Sequence, residues 1–157
     1  MKKILAVLFL IFISANLSAF KMNNPVNSNS VELKDRHFKD RVIAVVNGST
    51  ITINKFDLVR VKGTRGSNKG IELVGDNYQA STCYGMVMDT LQPRQTGTVQ
   101  ISGVIKGMDT SGYEYNQELY LSSERGKITT EKKKIGIGTV IKVDPTDGWI
   151  ILDIYRK

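Results

Sequence analysis

VQISGVIKGMDTSGYEYNQELYLSSERGKITTEKKKIGIGTVIKVDPTDGWIILDI, from Val99 to Ile154, is the stretch whose reading decides the fold. β-branched and aromatic residues come in short runs, and each run stops at Gly, Asp or Asn. Runs of that length with period-two alternation read as strands, and the stops read as turns. The stretch predicts strands at Thr98–Ile105, Leu119–Ser122, Ile135–Val143 and Trp149–Ile154. Pro145-Thr146-Asp147-Gly148 marks a tight turn, since Pro presets φ and an Asp-Gly pair supplies the positive-φ position.

Upstream the same grammar holds back to Val42. Val42–Val46 is a β-branched run ending at Asn47-Gly48, a pair suited to a hairpin turn into Thr50–Ile53. Further strands are expected at Phe56–Val61, Ile71–Val74 and Thr82–Met88. Gly63 to Gly70, rich in Gly, Ser, Asn and Lys, reads as a loop. Turn signals recur every 8–12 residues or so, the spacing of a sandwich or barrel. No segment after residue 41 sustains a helical period. The expected fold is all-β, a small barrel or sandwich of short antiparallel strands. Ile, Val, Leu, Tyr and the single Trp149 are expected to supply its core.

Two segments precede this domain of residues 42–157. Residues 1–19 join Lys2 and Lys3 to an apolar run, Ile4–Ile13, and then to Ser14, Ala15, Ser18 and Ala19. That is the pattern of a signal peptide cut after Ala19, with an uncleaved apolar anchor as the alternative. As a helix the run is short for a bilayer, which needs about 20 apolar residues. Residues 20–41 are polar, dense in Asn and Ser, and read as a flexible linker or arm.

Charge and cysteine content narrow the function classes. The chain carries +7, which becomes +5 without Lys2 and Lys3. That excess favours solubility and weak attraction to anionic surfaces, and it lacks the concentrated basic face of a nucleic-acid binder. Lys132-Lys133-Lys134 reads as a solvated turn or strand end. Cys83 is the one cysteine, so an internal disulfide is excluded, and a small buried apolar role is expected for it. His37 is the one histidine and lies in the arm, outside any rigid element. No His, Cys or carboxylate spacing matches a zinc site. No cofactor and no metal are expected.

The motifs weigh against catalysis. Met108-Asp109-Thr110-Ser111-Gly112 offers a single Asp, with an extra residue before Gly compared with an aspartic-protease turn. Asp, Thr and Ser bonding their own backbone explain it better. Gly63…Gly66…Gly70 with Lys69 lacks the order of a phosphate loop and reads as an exposed hairpin loop, and Gly136-Ile137-Gly138 reads as a bulge or a close backbone approach. Tyr113 and Tyr115 beside Asn116 and Gln117 read equally as a contact surface or as ordinary loop packing. Asp109, Tyr113 and Tyr115 are the candidate surface-contact residues, and no catalytic residue is assigned.

The order of these phrases resembles a structural domain of bacteriophage tail-fibre, tail and head-fibre proteins. The resemblance begins at Gly48–Val59, similar to the family's Gly-x-x-Ile-x-Lys-Gly-x-x-Val opening, with Phe56 where a glycine is usual. It runs through Tyr84–Val87 and Thr98–Ile105, and is densest at Gly107–Gly112, Glu118–Ser122 and Gly126–Thr130. It closes with Ile137–Val140 and Asp147–Ile154. The resemblance implies a non-enzymatic virion component, oligomeric and often trimeric. Its partners would be other virion proteins or itself, as a homotrimer, and a cell-surface receptor. No nucleic acid is implied, and no membrane once the leader is removed. The leader leaves three readings open: an unusual phage protein, an apolar arm that docks into another virion protein, or a prophage-derived domain exported by its host. The alternative function is therefore a secreted or periplasmic binding module.

Overall fold

A computed structural model describes residues 39–75 and 83–156. The expectations for residues 1–19, for most of the arm and for His37 lie outside the described residues. Among the described residues the protein is all-β and forms one mixed sheet of nine strands. They are β1 (Arg41–Asn47), β2 (Leu58–Arg65), β3 (Asn68–Leu73), β4 (Gly85–Val87), β5 (Thr96–Met108), β6 (Glu118–Leu121), β7 (Ile128–Thr129), β8 (Ile135–Lys142) and β9 (Gly148–Arg156).

The strand order is β1-β3-β2-β4-β5-β9-β8-β6-β7, and β1 also pairs with β5. The pairings therefore close a ring of five strands, from β1 through β3, β2, β4 and β5 back to β1. Every pairing in the sheet is antiparallel except β1 with β3, where Val45 faces Lys69 and Asn47 faces Ile71. This corrects the expectation of antiparallel strands alone, and parity gives the reason. Each antiparallel step reverses direction, so a closed ring of five must contain an odd number of parallel steps.

The thirteen residues of β5 serve two layers. Its first half pairs with β1 and β4, and its second half with β9. The change falls at Gly103, whose φ of 109° suits only glycine and whose missing side chain makes room for Asp40. Asp40 Oδ1 accepts the Val104 N–H at 2.9 Å and a longer bond from Gln100 Nε2 at 3.3 Å. Lys39 and Asp40, in the expected arm, are thus bonded to β5, and β1 begins at Arg41.

Alternation along the strands sorts the core into two clusters. One takes a residue from each strand of the ring, Val45, Val59, Ile71, Val87 and Val99, with Ile53 and Leu91. The other takes the preceding residue on β2 and β4, Leu58 and Met86. These meet Ile105, Leu119, Leu121, Ile137, Val140, Ile150 and Leu152 from the second layer. Adjacent residues on a strand point to opposite faces, so β4 and the start of β2, at Leu58 and Val59, are buried on both sides. Each such side chain contributes about 1.5–3 kcal/mol by leaving water.

Two local expectations are corrected. Asn47-Gly48 is not a hairpin turn, and residues 50–53 form no strand; Ile53 makes only an isolated bridge to Leu91. The Asn47 side chain is wholly buried and binds carbonyls of its own loop and of the 91–95 loop, which leaves no ladder for a strand to join. Conversely, the expected loop Gly63–Gly70 lies in the β2–β3 hairpin, turning at Gly66 with φ of 62°. Ladder hydrogen bonds use backbone groups, so a glycine-rich strand pairs without side chains. The expected bulge in β8 is present as a register slip between Gly136 and Gly138.

Candidate contact surface

Asp109, Tyr113 and Tyr115 all lie on the loop between β5 and β6. Asp109 is exposed, and its Oδ1 accepts Ser111 N–H at 3.0 Å and Ser111 Oγ–H at 2.7 Å. Those two bonds, the side-chain one first, hold its carboxyl below the usual carboxylate range. A carboxylate committed in this way stays ionised and is poorly suited to acid catalysis near neutral pH.

The sequence expects Thr110 to bond its own backbone. Instead it reaches across to the β8–β9 turn. Its side chain is wholly buried, and its Oγ1 donates to the Lys142 carbonyl at 2.8 Å and accepts the Asp144 N–H at 2.9 Å. Its own N–H donates to the Asp144 carbonyl at 3.0 Å. A Cβ on Gly148 would collide with that hydroxyl, so glycine is required there by the close approach. Asp144 builds the turn itself, accepting N–H bonds from Thr146 at 2.9 Å and Asp147 at 2.8 Å.

Tyr113 is half-buried against the second core cluster. Burial, with the nearby charge of Asp109, pushes its hydroxyl pKa up. Tyr115 is 61% exposed. The strands beside it fix the loop: Asn116 N–H donates to Val140 O at 2.9 Å, and Val140 N–H to Gln117 O at 3.0 Å. Of the three candidates, Tyr115 alone offers most of its ring to solvent.

A second aromatic joins this end of the molecule, and the sequence reading missed it. Trp149 was expected in the core. It is half-buried on the outer face of β9, while its neighbours Ile150 and Leu152 are buried in the second cluster. The signal was present in the alternation of Trp149, Ile150, Ile151, Leu152 and Asp153, which sends Trp149 and Asp153 to the face opposite Ile150. Trp149 pairs with Lys106 on β5 and Lys142 on β8. Their ammonium groups sit 4.3 and 5.3 Å from its ring centroid, within cation–π range. Trp149 Nε1 donates to Asp147 Oδ1 at 3.1 Å, and Lys142 Nζ donates to Asp147 Oδ2 at 2.6 Å. The Lys142 bond, then the Trp149 bond, hold the Asp147 carboxyl low, and the same Asp147 bond raises Lys142. Beside them Val143 is 44% exposed.

Thr110 thus ties the β5–β6 loop, which carries Tyr115, to the β8–β9 turn, and Trp149 with Lys106 and Lys142 lies on the adjoining strands β9, β5 and β8. Tyr and Trp are enriched at protein contact surfaces, whereas Lys and Asp belong more often to their rim than to their core. Elsewhere, burial pushes the Cys83 thiol up to about 12, which suits a packing role. Among the described residues no group of three His, Cys, Asp or Glu is placed to hold a metal ion. Comparison of the chain with protein families, with curated proteins and with solved structures finds no match.

Proposed function

We propose that the protein is a non-enzymatic structural and adhesive module of a phage particle or phage-derived assembly, working through protein–protein contact. In this reading the five-strand ring is a small barrel and the second layer packs against its side. The observation that carries the reading is the Trp149–Lys106–Lys142 group beside the β8–β9 turn that Thr110 pins, with Tyr115 exposed on the loop that Thr110 begins. The family resemblance from Gly48 to Ile154 supports the same assignment. Copies of the chain, as a homotrimer, or other virion proteins are the partners it fits. Particles purified from the natural source should contain the protein by mass spectrometry, and its native mass should exceed that of one chain. A strictly monomeric protein absent from particles overturns the proposal.

The signal-like segment favours a second reading, a secreted or periplasmic binding module. Here the mature chain begins at Phe20 and is recovered from periplasm or medium. N-terminal sequencing of the natural protein separates the two readings.

A further inference from the structure

Asn47-Gly48, where β1 ends, is the one Asn-Gly pair in the sequence. Such a pair is chemically labile in a free chain. The Gly48 nitrogen attacks the Asn47 side chain and forms a bond to Cγ. The Cγ–Nδ2 bond breaks, and Nδ2 leaves as ammonia, taking the Gly48 amide proton with it. Water then opens the cyclic imide at either of its carbonyls, leaving aspartate or isoaspartate at position 47. Glycine favours the attack because it has no Cβ to crowd the nitrogen and the freest backbone.

The native fold blocks this reaction. The peptide plane that would have to turn is held at both ends. Asn47 O accepts Arg94 N–H at 2.9 Å, and Gly48 N–H donates to Ile71 O at 2.8 Å. The leaving group is held as well. Nδ2 donates to Ile51 O and Leu91 O, both at 2.9 Å, and the side chain is wholly buried, out of reach of water.

The fold also depends on the pair it protects. A Cβ on Gly48 would lie 3.2 Å from Ile71 O, so glycine lets β1 and β3 approach there. Asn47 fits its site as an amide. Aspartate would turn a carboxylate oxygen toward the Ile51 and Leu91 carbonyls, acceptor against acceptor and away from water. Isoaspartate would carry the side-chain methylene into the main chain and pull Gly48 away from Ile71. We propose that Asn47-Gly48 is a modification site gated by folding. It stays intact while the five-strand ring is closed, converts when the ring is open, and then bars the modified chain from closing again. Chemical conversion of the open state makes unfolding irreversible with time.

The test ages the full chain in buffer and in urea at the same mildly alkaline pH, with peptide mass mapping and enzymatic methylation of isoaspartate as readouts. In urea Asn47 is expected to convert several-fold faster than Asn116, which precedes Gln117. In the folded protein conversion needs an opening of the ring. It should be slower there by about a thousandfold or more, the ratio of closed to open chains in a stable domain. After dilution from urea, size exclusion separates refolded from unrefolded chains, and the converted peptide should concentrate in the unrefolded ones. Asn47→Asp should show a lower urea midpoint than Asn47→Ala, or no folded state, because it adds a buried charge to the lost bonds. Comparable conversion in buffer and in urea, conversion in urea no faster at Asn47 than at Asn116, converted chains that refold as well as intact ones, or an Asn47→Asp midpoint at or above that of Asn47→Ala overturns the proposal.

Discussion

Asn47 Nδ2 donates a 2.9 Å hydrogen bond to the carbonyl oxygen of Leu91, 44 positions further along the chain. The same amide donates to Ile51 O at 2.9 Å, and its Oδ1 accepts from Ser49 N–H and Oγ–H. One buried side chain therefore replaces the ladder that a hairpin would have supplied. Asn47→Ala removes one donor from each carbonyl, while Leu91 O keeps the Ile53 N–H and Ile51 O keeps the Ser49 hydroxyl. Two lost hydrogen bonds at about 0.5–1.5 kcal/mol each put the expected loss at about 1–3 kcal/mol in urea unfolding. A loss under about 0.5 kcal/mol, the range of ordinary surface changes, would show that water replaces the amide.

Thr110→Val keeps the shape and removes the hydroxyl that serves Lys142 O and Asp144 N–H. The expected cost is about 1–3 kcal/mol, with Thr110→Ser close to the parent. Hydrogen exchange of the Asp144 amide gives the local readout, and it should speed up in Thr110→Val beyond any global change. Unchanged protection there would mean the two loops are held together by other contacts.

Phe56 has a φ of 70° at the third position of a turn closed by Asp57 N–H on Asn54 O, at 3.1 Å. A positive φ at that position of a turn favours glycine or asparagine. Phe56→Ala keeps the backbone strain and loses the ring; Phe56→Gly loses the ring but relieves the strain. The glycine variant should be the more stable by about 1 kcal/mol, reversing the ordinary preference for alanine. Thermal melts of the two variants decide it, and an alanine variant at least as stable would refute the strain.

Acid should loosen the pinned surface before the core. Asp144 is held low by Thr146 and Asp147 N–H groups, and Asp147 by Lys142 and then Trp149. A depressed folded pKa means that the stabilisation is present above the unfolded value, about 3.9, and is lost as pH falls through the folded one. Trp149 fluorescence should therefore change below about pH 4, and Asp147→Asn should lose most of that change. A flat profile in the parent down to global unfolding would contradict the Trp149–Asp147 contact.

Much of the β order was legible because strands announce themselves by alternation. Val42–Val46, Thr98–Ile105 and Trp149–Ile154 fall on β1, β5 and β9. Turn spacing allowed a barrel or a sandwich, but which strands close the ring was not legible, since a closing contact such as Ile43 with Val99 joins distant positions and leaves no local trace. Composition misled at Gly63–Gly70, where residues typical of loops form a ladder. At the contact surface, the turn residues Asp109–Gly112 were readable and the partner of Thr110 was not. A threonine that bonds its neighbour and one that bonds a segment 32 positions away have the same local sequence.

β5 belongs to both layers, and Ser102 pairs with Arg41 on one side and Asp153 on the other. Such a shared spine makes the halves inseparable. A fragment ending before Gly148 would leave Val104–Met108 without the neighbour it has in β9, and one starting after Asn47 would open the ring. Neither half can be expressed alone as a miniature of the whole, and on heating both should disappear in one cooperative step.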